Sequence, residues 1–158
     1  MPTQPDGRTE STDQRMDRNF GELLQELRVL QTGTQILAGF LLTLPFQSRF
    51  TDLSDYHRVL FLVAIGLAFL TTVLLVGPVS VHRSLFRKHH KATLVSVSHH
   101  MARLGLITLG LTMATVLCLI FSVVVSDVAG WAAGTTAVTL FTGLWWALPA
   151  WLQSRVAH

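Results

Sequence analysis

A chain of 158 residues has room for one domain, and this one is half apolar with only 13% charged residues, where a soluble domain carries about 25%. Its net charge of +3 does not point to nucleic acid, because the basic residues abut long apolar runs, where Lys and Arg normally record membrane orientation. A single cysteine, Cys118, excludes an intramolecular disulfide and a cysteine-based metal site.

Residues 1–18 are polar, charged and rich in Pro, Thr and Gly. They lack the early apolar core and small-residue cleavage site of a signal peptide, and read as a disordered cytoplasmic tail ahead of a transmembrane domain at 19–158. The first expected span covers residues 29–46. Helix should begin earlier, near Asn19, since Leu23, Leu24, Leu27 and Leu30 mark one helical face. Pro45 should end or bend this helix. The second span, residues 59–79, carries no charge, and Gly77-Pro78 near its end marks a kink or stop. A basic segment, residues 82–103, follows; it reads either as a helix lying along the headgroups or as an extension of the third span. The third and fourth spans, about 104–125 and 128–152, are separated by Ser126 and Asp127 and should form a tight antiparallel hairpin. Trp131 sits near one end of the fourth span, while Trp145, Trp146 and Trp151 sit toward the other. Trp favours both membrane–water boundaries.

The expected fold is therefore an all-α integral membrane four-helix bundle. Ten Lys and Arg flank the tail, the middle linker and the C-terminus, against only Arg49 and Arg58 on the other side. That asymmetry places both termini and the linker in the cytoplasm.

The run Asn19-Phe20-Gly21-Glu22-Leu23-Leu24-Gln25-Glu26-Leu27-Arg28-Val29-Leu30-Gln31-Thr32-Gly33 continues through Gln35-Ile36-Leu37 and Phe40-Leu41-Leu42-Thr43-Leu44-Pro45-Phe46. Pro78-Val79, His82-Arg83 and Leu85-Phe86-Arg87 follow. Together these resemble a family of uncharacterised actinobacterial membrane proteins known only as a domain of unknown function. The resemblance covers about residues 17 to 150. It implies four membrane helices in a bacterial plasma membrane and no established activity, although some members carry the label sodium:proton antiporter. An antiporter usually places an ionisable group near the bilayer midplane. All nine acids here lie outside the apolar cores.

Among candidate sites, Arg28, Gln31, Thr32, Gln35 and Gly39 share one face of the first helix. Polar side chains are costly toward lipid, so this face should turn inward, either as a polar path for ions or as a hydrogen-bonded packing surface. Glu22 and Glu26 share another face and could attract cations or pair with Arg83, Arg87 or Lys88. Arg87, Lys88, Lys91 and Arg103 are expected to contact anionic lipid headgroups. His82, His89, His90, His99 and His100 could sense pH, but their spacing does not converge on a metal. Gly130 and Gly134 form a small-xxx-small pair suited to packing within the monomer or to dimerisation. No enzyme motif is present, and neither a catalytic residue nor a cofactor is expected. The leading expectation is a small multi-pass protein with a structural or interaction role. The alternative is an oligomeric ion or proton-coupled transporter or channel lined by the first helix.

Overall fold

The computed structural model describes residues 12–85 and 91–156. Helix α1 spans Thr12–Thr43, α2 Asp55–Leu85, α3 Lys91–Val124, α4 Asp127–Thr142 and α5 Leu148–Val156. α1 begins inside the segment expected to be disordered. Residues 1–11 lie outside the described residues. Pro45 ends α1 as expected, and two 3-10 turns, Leu44–Phe46 and Ser48–Phe50, carry the chain to α2. Lys91–Val124 is one helix, so residues 91–103 extend the third span.

Two expectations are corrected. Gly77-Pro78 does not stop α2, which runs on to Leu85 with Pro78 inside it. Nor is the fourth span one uninterrupted α-helix. A five-residue π-helix, Gly143–Ala147, separates α4 from α5. Its cause is Pro149, whose ring would collide with the carbonyl four residues back, that of Trp145. The wider π turn immediately before the proline moves that carbonyl aside.

Packing follows a repeat of alternating four- and three-residue steps, the signature of left-handed helix pairs. α1 packs with Leu23, Leu27, Leu30, Thr34, Leu37 and Leu41. α2 offers Phe61, Ala64, Ala68, Thr71, Leu75 and Pro78, and α3 offers Ser98, Ala102, Gly105, Leu109, Thr112, Val116 and Leu119. Each of these is buried or half-buried. The core has two apolar clusters, one around Leu41, Phe61, Ala64, Ala68 and Leu119 and one around Leu27, Leu75 and Ala102. Between them in sequence lie the buried Thr34, Thr71 and Thr112. Each threonine donates to the carbonyl four residues back, at 2.8, 2.8 and 2.7 Å respectively, so none leaves a bare donor. The interior thus mixes leucine and phenylalanine side chains with Ala, Gly and Thr, and the Ser98 and Ser122 hydroxyls are buried without a hydrogen-bond partner among the described residues. The exterior also carries large apolar side chains, including Val29, Phe40, Phe69, Val124, Val128 and Leu140.

α4 seats Gly130 and Gly134 on α3. A Cβ at Gly130 would meet Ser122 Oγ and, at 2.6 Å, the Cys118 carbonyl; one at Gly134 would meet Cys118 Cβ at 3.1 Å. The pair therefore serves packing within the chain. α2 joins α3, and α3 joins α4, but α1 reaches mainly α2 and never approaches α4 among the described residues. The expected bundle is open along α1 because that helix packs through one leucine-rich seam only.

Candidate functional site

α1 is the least covered of the three long apolar helices. In an 18-residue apolar window within Gly21–Phe46, 11% of residues are buried, against 28% in the corresponding window of Asp55–Ser80 and 33% in that of Ser96–Val124. The polar face expected to turn inward is mostly turned out: Arg28, Thr32, Gln35 and Gly39 are exposed. The apolar leucine seam took the packed position, and this face lies roughly a third of a turn away from it at about 100° per residue.

Gln31 is the exception. Half-buried, it donates from Nε2 to the Leu75 carbonyl at 2.6 Å. That carbonyl lies beside Leu74, whose own helical donor is missing because Pro78 has no N–H. Gln31 thus ties α1 to α2 one residue from the carbonyl that the proline leaves without its helical donor. Replacing Gln31 with Leu should weaken the α1–α2 contact by about 0.6 kcal/mol and by no more than about 1.7 kcal/mol, read as a lower SDS midpoint for unfolding. A midpoint equal to the parent's would remove Gln31 from the packing account.

The exposed face has its own order. Gly21, Gln25, Arg28, Thr32, Gln35, Gly39 and Leu42 are all exposed and step by four and three, forming a second seam. Its polar members differ chemically. The Thr32 hydroxyl donates to the Arg28 carbonyl at 3.0 Å, so it needs no outside partner. Arg28 sits nearer the N-terminal end of Gly21–Phe46, and its long stem can carry the charge away from the middle of that stretch. Gln35 has an amide too long and too polar to satisfy itself in this way, and it makes no side-chain hydrogen bond among the described residues. Gly39 has open space where a Cβ would be.

The other expected sites are dispersed. Glu22 and Glu26 are exposed, and Glu22 lies 3.9 Å from Arg18 on its own helix. Arg87, Lys88, His89 and His90 lie outside the described residues, as do the side chains of His82, Arg83 and Lys91. His99 and His100 are exposed on α3, and no three metal-ligating side chains converge among the described residues. Arg103 is exposed and stacks over Trp146, 4.9 Å from its ring centre, while Arg155 stacks over Trp151 at 4.5 Å.

One constellation had no sequence signal. His57 Nε2 pairs with Asp127 Oδ1 at 3.1 Å, and its Nδ1 lies 2.9 Å from Ser54 Oγ. The composition is that of a nucleophile relay, but Ser54 is engaged at the start of α2, where its hydroxyl accepts the His57 N–H and its carbonyl the Arg58 N–H. The arrangement ties the starts of α2 and α4 together. Asp127 stands 70 residues from His57 in the chain, so spacing could not reveal the set.

These features define an all-helical protein with three helices long and apolar enough to cross a membrane. The chain belongs to the family of unknown function DUF6328, which it matches over residues 9–149. No curated protein and no solved structure matches it.

Proposed function

We propose that this chain is a multi-pass protein of the bacterial plasma membrane, with both termini cytoplasmic, that acts by helix association, and that a second copy of itself covers the outward seam of α1. Large apolar side chains exposed along all three long helices suit hydrocarbon as the solvent. The ten-to-two distribution of basic residues supports the orientation. So do Arg103 and Arg155, which stack on Trp146 and Trp151 at the end assigned to the cytoplasm. The fourth crossing is made by α4, the π turn and α5 together.

The observation that carries the association is Gln35. It lies within about 3 Å of the middle of Gly21–Phe46 along the helix axis, exposed, and its side chain makes no hydrogen bond among the described residues. A lone amide in hydrocarbon is costly. Copies inserted in one orientation present α1 in parallel, and a two-fold pair brings Gln35 against its counterpart. An amide both donates and accepts, so the seam complements itself, and Gly39 one turn on lets the backbones close. A transport reading needs three or more copies around this seam, and none of the nine acids lies in an apolar core to serve it.

Counting copies tests the proposal. Single-molecule photobleaching of the tagged full chain in vesicles should give two steps over a wide range of lipid dilution. Gln35→Leu with Gly39→Ile should raise the dissociation constant about tenfold or more, equivalent to roughly 1.4 kcal/mol. Single steps at every dilution, or a variant that pairs like the parent, would contradict it; three or more steps would favour transport.

A further inference from the structure

We infer that the groove between α3 and the π turn is a binding site for one anionic phospholipid, with the phosphate on Arg103 and an acyl chain running along Gly110. The groove comes from three features of the sequence. Pro149 forces the π turn, and with it Trp145 and Trp146 both line the opening. Trp145 stacks edge-on against Phe141 at 4.9 Å and is half-buried; Trp146 stays exposed beneath Arg103. Gly110 supplies no side chain to the α3 wall, and a Cβ there would already lie 3.4 Å from Phe141 Cγ.

The resulting cavity is about 170 Å³, lined along α3 by Leu106, Ile107 and Gly110 and across from them by Val138. An apolar cavity of about 150 Å³ holds a benzene-sized group, so this one takes a stretch of chain of similar bulk. Leu106, Ile107 and Gly110 lie three, four and seven residues beyond Arg103, on the same side of α3. The cation therefore stands at one end of an apolar track about 10 Å long.

The charge selects the occupant. Arg103 has no carboxylate within 4 Å among the described residues. Its Cζ lies 4.9 Å over the Trp146 ring, and a guanidinium whose N–H groups have no carboxylate partner among the described residues can grip a phosphate in two-pronged fashion. A cation beside an apolar track matches a phosphate joined to an acyl chain, at the height where the proposed orientation puts headgroups. Net negative lipid is preferred because Arg155 adds a second cation at the same end. The inference rests on the membrane reading and is independent of α1 pairing.

Native mass spectrometry of the full chain, released from detergent doped with phosphatidylglycerol or phosphatidylcholine, tests it. The parent should retain one phosphatidylglycerol per chain and several-fold less phosphatidylcholine. Arg103→Gln should cut phosphatidylglycerol retention fivefold or more, and Arg103→Lys should restore part of it. Val138→Phe, which fills the track from an exposed position, should cut retention with Arg103 intact. Inorganic phosphate at millimolar concentration should not compete. Equal retention of the two lipids, parent-like retention by Arg103→Gln with helical content unchanged, or displacement by phosphate alone would each overturn the site. A chain that stays folded in plain buffer would overturn the membrane reading beneath it, which lipid retention does not decide.

Discussion

Gly130→Val should cost the chain about 3 kcal/mol or more and release α4 from α3. The added side chain would meet the Cys118 carbonyl at 2.6 Å and the Ser122 hydroxyl. A carbonyl in a helix cannot swing aside like a side chain, so the whole of α4 must move out, losing the approach at Gly134 as well. Overpacking in a dense interior costs about 1–3 kcal/mol and more where the neighbour is rigid. Gly66 is the control. It has nothing within 4 Å of a built Cβ, and Gly66→Ala should be neutral or stabilise α2 by up to about 1 kcal/mol through helix propensity alone. SDS titration followed by circular dichroism measures both. If Gly130→Val and Gly66→Ala shift the midpoint alike, the seating of α4 described above is wrong.

Leu75→Ala and Gly105→Ala should each destabilise the chain, yet partly cancel when combined. Leu75 is fully buried beside Leu27 and Ala102. A Cβ at Gly105 would meet Leu75 Cδ2 at 2.6 Å and Cγ at 3.0 Å. Truncating Leu75 leaves a void lined by atoms that lose their dispersion contacts, at a cost of about 2 kcal/mol. Adding a methyl at Gly105 alone pushes a flexible leucine tip and costs about 1 kcal/mol. In the double variant the methyl enters the space the leucine vacated. The combined loss should fall short of the sum by at least about 1 kcal/mol. Strict additivity would mean that these two positions do not share a packing contact.

How far the sequence led depends on the kind of force involved. Hydropathy located α2 and α3, because a run such as residues 59–79 has one reading at that length. The spacing of Leu23, Leu27 and Leu30 already marked the packed face of α1. The error lay in weighing Arg28, Thr32 and Gln35 above those leucines when deciding which face turns inward. Polarity says that a side chain wants a partner; it does not say whether that partner lies in the same chain. Thr32 finds one in its own backbone, Gln31 finds one across α2, and Gln35 finds neither. The π turn was missed because a hydropathy average cannot register Pro149 pressing on the carbonyl four residues back. Ser54, His57 and Asp127 were missed because only the folded hairpin of α3 and α4 returns Asp127 to the start of α2. Gly130 and Gly134 were visible as a motif, but only the geometry assigns them to α3.

The pairing proposed through Gln35 places the outward seam of α1 against the same seam of a second copy. Cysteine crosslinking along α1 in native membranes, in a Cys118→Ala background, tests it most directly. Disulfide-linked pairs should form from Thr32→Cys, Gln35→Cys, Gly39→Cys and Leu42→Cys, and should be weak or absent from Val29→Cys, Ile36→Cys and Phe40→Cys. Crosslinking that peaks at Ile36 and Phe40, or that shows no four-and-three rhythm along the helix, would contradict it.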